Sequence, residues 1–177
     1  MFDPTAFDNM KVVIEGLIYD KDLDGEYEII DRNDYINLSK MDRLFSIQYR
    51  KLNIRSKSKT TSCRFSMKTT ASDLYNELIK GNTEVGCFIE IEFFFPKTLE
   101  IEIIQRSLLL FQNKTAEQYI PCYNIKQSIF DKNIIESSVN IKFQNKMTEE
   151  DFDLVEELVH ISEIMLQWYD EQILKEI

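Results

Sequence analysis

Apolar and polar residues alternate with a period of two along several segments of the chain. In five segments most odd-numbered positions are apolar, and the even-numbered positions are polar except for Phe88 and Phe94: 45–50, 62–68, 87–95, 99–103 and 135–143. Successive side chains of a strand point to opposite faces, so the pattern predicts five strands with one apolar and one polar face. Such strands are typical of an antiparallel sheet that is covered on one side.

The C-terminal segment has helical spacing instead. Thr148 precedes three acidic residues, a composition that favours the start of a helix. Apolar residues then recur every three or four positions from Phe152 to Ile173. We predict a helix from residue 149 to about residue 175, with an apolar stripe that covers the apolar face of the sheet.

Shorter elements are predicted around the sheet. Residues 72–80 begin with a serine cap and end before a glycine, which predicts a helix. Residues 34–41 are assigned to a second short helix. Residues 10–31 are assigned to a hairpin that turns at Asp24 and Gly25. Residues 105–131 mix apolar runs with turn-forming residues and predict no clear element.

These elements together predict an α+β fold. It consists of an antiparallel sheet with one polar face, an apolar face covered by the long C-terminal helix, and short helices at the rim. The length of 177 residues indicates a single domain, 1–177.

Composition indicates a cytoplasmic protein without membrane association. No apolar run is long enough for a transmembrane helix, and the N-terminus lacks the pattern of a signal peptide. Cys63, Cys87 and Cys122 lack paired spacing, so we predict reduced, buried thiols. The scarcity of alanine beside abundant isoleucine, asparagine and lysine is typical of an AT-rich bacterial genome.

Charge is strongly segregated along the chain. Residues 43–70 hold eight lysines and arginines and no acid, so the rest of a chain with net charge -10 sums to -18. Three of the eight fall on the predicted polar face of the sheet: Arg50, Arg64 and Lys68. Three others fall in the loop between two strands: Arg55, Lys57 and Lys59.

Three interpretations of this basic block are open. In the first, its sheet residues pair with carboxylates on the same polar face. Those carboxylates would be Glu90, Glu92, Glu100 and Glu102. In the second, the loop binds a protein partner or a second copy of the chain. In the third, the hairpin binds nucleic acid, but a pI near 4.7 argues against that partner.

An acidic stretch between residues 20 and 31 resembles the calcium loop of EF-hand proteins. Carboxylates at Asp20, Asp22, Asp24 and Asp31 match loop positions 1, 3, 5 and 12, and a glycine stands at position 6. Tyr27 at position 8 and an aspartate in place of the usual final glutamate depart from the pattern. The resemblance implies a metal site, and the alternative is an acidic, solvated turn.

The Glu-x-Glu pairs support a further alternative. Two glutamates with this spacing on a strand share one face, as at Glu90 and Glu92. If the sheet closed around its polar face, the lumen would resemble that of triphosphate tunnel metalloenzymes. Those enzymes continue the motif with a lysine on the same face, whereas Phe94 follows here.

No catalytic motif specifies a reaction. His160 is the only histidine, and its place between apolar residues predicts a partly buried structural role. We therefore expect a non-enzymatic protein without a cofactor that works through a protein partner or through self-association. The alternatives are an enzyme or an anion- or metal-binding protein with an enclosed polar face, and a weak nucleic-acid binder.

Overall fold

The computed structural model describes residues 5–52, 60–80, 85–112, 115, 118–130 and 133–175. The elements in chain order are α1 (Ala6–Leu23), β1 (Tyr27–Asn37), β2 (Asp42–Lys51), β3 (Ser62–Thr69), α2 (Ala71–Lys80), β4 (Phe88–Phe95), α3 (Ile101–Gln112), β5 (Tyr119–Gln127), β6 (Ile134–Phe143), a 3₁₀ turn (Glu149–Asp151) and α4 (Phe152–Lys175). The strands form one antiparallel sheet in the order β1-β2-β3-β4-β6-β5. The predicted α+β class and four of the five predicted strands are confirmed.

The sheet is amphipathic, as the alternation predicts. The apolar positions of β2, β3 and β4 are fully buried, as for Phe45, Phe65 and Phe93. Burying a side chain of this kind stabilises a fold by about 1.5–3 kcal/mol. The polar positions between them, such as Gln48 and Arg64, remain partly exposed. The apolar face therefore forms the core of the molecule.

The long C-terminal helix covers this apolar face, as predicted. Thr148 caps its start, because the Thr148 hydroxyl accepts from the Glu150 N–H and Asp151 accepts from the Thr148 N–H at 2.7 Å. Most buried positions of α4 recur at helical spacing: Val155, Leu158, Val159, Ser162, Met165, Leu166, Tyr169 and Ile173. Ile161 and Glu163 beside them are also buried.

Buried hydroxyl pairs fix the position of α4. Tyr49 of β2 hydrogen bonds to Ser162 of α4, and Tyr169 of α4 hydrogen bonds to Ser107 of α3. Each serine also donates to a backbone carbonyl in its own helix. A buried hydroxyl without a partner is costly, so these bonds favour one placement of α4 between the sheet and α3.

The N-terminal segment differs from the prediction. The hairpin assigned to residues 10–31 is wrong, because residues 6–23 form helix α1. The buried residues Met10, Ile14 and Ile18 follow helical spacing, and Thr5 caps the helix by accepting from the Asp8 N–H. Helix α1 shares the covered face of the sheet with α4, so two long helices complete the core.

Two further assignments are also wrong. Residues 34–37 belong to strand β1 rather than to a helix, and residues 38–41 form the turn into β2. The predicted strand at 99–103 is the start of helix α3, whose buried residues Ile104, Ser107 and Phe111 follow helical spacing. Residues 119–127, within the unassigned region, form the edge strand β5.

Adjacent phenylalanines of β4 test the two-faced sheet. We expect Phe93→Ala to lower the free energy of unfolding by about 3–5 kcal/mol, because it leaves a cavity in the core. Phe94→Ala is expected to cost only about 1 kcal/mol, because Phe94 lies on the polar face beneath the Arg64 guanidinium. Chemical denaturation of both variants measures this difference. Equal losses would contradict the assignment of the two faces.

The ion pairs of Asp34 dock α1 onto the sheet. Its carboxylate lies 2.7 Å from Lys11 Nζ and 2.9 Å from Arg43 Nη2. The Arg43 hydrogen bonds, together with Lys11, lower the pKa of Asp34 from 3.8 to about 2.

We expect Asp34→Asn to show this linkage. The ionised carboxylate stabilises the folded protein above pH 3.8, and the gain is lost as the pH falls through about 2. The variant is expected to be about 1 kcal/mol less stable at neutral pH, because the group is partly solvated. Denaturation from neutral pH down to pH 2 tests this, and a stability difference that is constant over that range would contradict it.

Candidate functional site

The polar face of the sheet holds a cavity of about 410 Å³. Side chains from four adjacent strands line it, so this face is concave. The lining residues are Asp31, Asn33, Tyr35, Leu44, Ser46, Arg64, Ser66, Glu90 and Glu92. A volume of this size lies within the range of small-molecule sites.

The cavity exists because small side chains meet across β2 and β3. Ser46 lies directly opposite Ser66 in the strand pairing, and both line the cavity. The neighbouring cross-strand pairs, such as Gln48 with Arg64, carry much longer side chains. The two serines therefore form the floor of a depression, and the longer residues form its walls.

Arg64 supplies a guanidinium group to the cavity, and this group already contacts other side chains. It donates to Gln48 Oε1 at 2.8 Å and lies 3.8 Å from Glu92 Oε2. Its guanidinium also stacks over the Phe94 ring, with a carbon-to-centroid distance of 4.6 Å. These contacts hold the cation against the sheet and use much of its capacity to bind an anion.

Three carboxylates line the cavity from opposite sides. Glu92 accepts from the Ser138 hydroxyl at 2.7 Å. Burial raises the pKa of Glu92, and this effect outweighs the Ser138 hydrogen bond and the nearby Arg64, which both lower it. Glu90 accepts from Asn140 and lies 3.6 Å from Lys142 Nζ. Asp31 approaches from the edge strand β1. The lining therefore carries more negative than positive charge.

The other predicted cations of the polar face are also paired. Arg50 lies 2.9 Å from Glu28, and Lys68 lies 3.5 Å from Asp42. Their carboxylate partners come from β1 and β2 instead of from the predicted glutamates. Placing Glu100 and Glu102 on this face was wrong, because they lie at the start of helix α3.

The polar face is open. Strands β1 and β5 are the two edges of the sheet, and neither pairs with the other within the described residues. The enclosed lumen required by the triphosphate-tunnel alternative is therefore not formed by this part of the chain.

The acidic stretch does not form an EF-hand loop. Asp20 and Asp22 lie in the last turn of α1, Asp24 caps that helix, and Asp31 lies in β1. Asp22 accepts a hydrogen bond from the Ile29 N–H, so its carboxylate ties α1 to β1. Within the described residues, no three His, Cys, Asp or Glu side chains are grouped to hold a metal ion.

Two other sets of predicted residues have different outcomes. Arg55, Lys57 and Lys59 lie outside the described residues. His160 is exposed on α4, in contrast to the predicted partial burial, and its Nδ1 lies 3.6 Å from Glu163. Cys122 is also exposed, so the prediction of burial holds only for Cys63 and Cys87.

Five lining residues were missing from the sequence prediction of the site: Asn33, Tyr35, Leu44, Ser46 and Ser66. The alternation places Ser46 and Ser66 on the polar face, but nothing in the pattern indicates that they form the floor of a cavity. Tyr35 falls in the wrongly assigned helix at 34–41, Asn33 falls just before it, and the Tyr35 hydroxyl donates to Asn33. Alternation does not mark them, because Asp31 and Asn33 follow Tyr27 and Ile29 at the odd-numbered positions and a bulge between Ile29 and Asp31 shifts the register.

A second surface lies at the β5 edge of the sheet. We call it the β5 edge surface: Ile120, Ile125, Ile129, Phe130 and Ile134, all exposed. Ile129 and Phe130 at the turn between β5 and β6 are 90% and 99% exposed. Ile125, Ile129, Phe130 and Ile134 lie at the end of the sheet where β5 turns into β6, whereas Ile120 pairs with Lys142 near the other end of β5. Isolated exposed apolar residues are ordinary, but several at one end of a sheet edge are typical of contact surfaces.

Comparison of the chain with protein-family models, with curated proteins and with solved structures finds no match. Among the helices in the described ranges, none combines the length and apolar character needed to cross a membrane. The geometry of the two surfaces is therefore the basis for assigning a function.

The three cysteines differ in burial: Cys63 and Cys87 are buried, and Cys122 is exposed. Burial raises the pKa of Cys63 and of Cys87 to about 12, so both thiols stay protonated at neutral pH. We expect a thiol reagent such as Ellman's reagent to modify only Cys122 in the native protein, and all three in denaturant. Rapid modification of Cys63 or Cys87 without denaturant would contradict this burial.

Proposed function

We propose that the protein acts through protein–protein contact, as a homo-oligomer whose copies join at strand β5. The exposed apolar edge surface is the observation that carries this proposal. An antiparallel edge strand can pair with the same strand of a second copy across a two-fold axis. The partner in this proposal is therefore another copy of the chain.

The two edges of the sheet differ in their protection against such pairing. Strand β1 has a bulge between Ile29 and Asp31 and carries several charges. Bulges and charges are the usual means of blocking an edge. Strand β5 carries a single charge, Lys126, along nine residues. The β5 edge is the less protected of the two.

Pro121 limits the pairing to part of β5. Proline lacks the N–H that a ladder needs, and it is tolerated in edge strands for that reason. The segment from Tyr123 to Gln127 retains its donors. We therefore place the contact at this C-terminal half of β5 and at the adjoining turn.

Local charge opposes self-association less at this end than at the acidic surfaces of the chain. The chain carries -10 overall, which opposes contact between copies at most surfaces. Residues 119–134 contain two lysines and one aspartate, so this segment carries +1. Two copies that meet here avoid the repulsion of the acidic helix α4.

We place this oligomer in the cytoplasm. Cys63, Cys87 and Cys122 are all free, and two of them are buried away from any partner thiol. Unpaired cysteines suit a reducing compartment.

Light scattering after size-exclusion chromatography tests the oligomer. We expect the protein at micromolar concentration to run as a dimer or larger species, and Ile129→Ser with Phe130→Ser to make it monomeric by removing apolar contact area. Leu38→Ser is the matched control, because Leu38 is 83% exposed at the opposite turn between β1 and β2.

The control variant is expected to keep the oligomer. A monomeric wild-type protein at micromolar concentration would rule out the proposal. Disruption by Leu38→Ser to the same extent as by the double variant would also contradict it, because the contact would not lie at β5.

A further inference from the structure

The floor of the polar-face cavity has hydrogen-bonding capacity that the protein does not use. Ser46 is only 6% exposed, yet its hydroxyl makes no hydrogen bond within the described residues. Ser66 lies opposite it and is likewise without a side-chain hydrogen bond in the described part of the chain. Both hydroxyls line the open cavity, where they are available to accept from a bound group.

The walls of the cavity favour a cation over an anion. Asp31, Glu90 and Glu92 contribute three carboxylates, and Arg64 is the only cation among the lining residues. Arg64 is held by Gln48, by Glu92 and by the Phe94 ring, as described above. An anion would have to displace these contacts and approach the carboxylates. A cation at Glu90 would share that carboxylate with Lys142 and Asn140, whereas Asp31 accepts from Asn33 and has no ion pair within the described residues.

The spread of the carboxylates favours an organic cation over a metal ion. A divalent cation such as Ca²⁺ needs several oxygen ligands that converge on one point. Within the described residues no such group of acidic side chains exists. Asp31 lies on β1 and Glu90 lies on β4, with two strands between them. A molecule with two separated cationic groups could reach both walls.

Apolar surface at one end of the cavity suits the hydrocarbon part of such a molecule. Tyr35 and Leu44 face each other in the pairing of β1 with β2, and both line the cavity. An aromatic ring beside a cation also adds a favourable contact.

We propose that the polar-face cavity binds a small organic cation of the polyamine type, with ammonium groups at Asp31 and Glu90 and with the hydroxyls of Ser46 and Ser66 as acceptors between them. This site is separate from the β5 edge surface, and it goes beyond the proposed oligomer. Binding is expected to weaken as salt rises, because charge pairing contributes much of the affinity.

Isothermal titration calorimetry with spermidine tests the site. We expect one saturable site per chain, and we expect Asp31→Asn and Glu90→Gln each to weaken binding by about tenfold through loss of a charged partner. Asp31 is exposed on an edge strand, so its variant keeps the fold even if Glu90→Gln does not, and melting temperatures check both. Ser46→Ala is expected to weaken binding less.

Glu100→Gln and Glu156→Gln are the matched controls, because both glutamates are exposed and lie outside the cavity, Glu100 immediately before α3 and Glu156 within α4. They are expected to bind spermidine as the wild type does. Weak, non-saturable binding that all four charge variants reduce equally would overturn the proposal, because it would reflect only the net charge.

An anion provides the opposite arm of the test. Inorganic tripolyphosphate is expected not to bind, and tripolyphosphate binding that is lost in Arg64→Gln would overturn the assignment of a cationic ligand. The oligomeric state of Glu90→Gln is expected to equal that of the wild type, so failure of this site and failure of the β5 contact are distinguishable.

Discussion

Burial of one face of the sheet beneath two helices is the constraint on which the structure depends. Helices α1 and α4 cover the side chains of β2, β3 and β4, and the fully buried phenylalanines of these strands lie there. The hydroxyl pairs of Tyr49 and Tyr169 add direction to this contact, because apolar burial alone is not directional. With one face filled, every even-numbered position of these strands must face away from the core.

The open face follows from that arrangement. Its polar residues satisfy one another across the strands, as Arg50 does with Glu28 and Arg64 with Glu92. The basic block of the sequence is therefore partly a set of neighbours for carboxylates of the same sheet. The serines at its centre are the exception, because they are short and leave space above them. A two-sided core would have left neither the cavity nor its free hydroxyls.

The sequence predicted the central strands and α4 because the alternation and the helical spacing each continue over a long run of residues and fit one period only. It failed at α1 and α3, where short apolar runs fit both periods. Val12, Ile14 and Ile18 all fall on even-numbered positions, as a strand would require, but only Ile14 and Ile18, four residues apart, are buried. The polar positions of the site followed from alternation. The cavity did not, because it depends on the pairing of Ser46 with Ser66, and a repeat of period two does not specify register.

The proposed contact at strand β5 is the central functional claim, since an unprotected β5 edge distinguishes this chain from a sheet whose edges are both protected. Hydrogen–deuterium exchange measured over a range of protein concentrations tests it directly. We predict that the amides of residues 123–127 become more protected as concentration rises, while those of β1 do not change. Exchange in β5 that is independent of concentration, or protection that develops in β1 instead, would contradict the account.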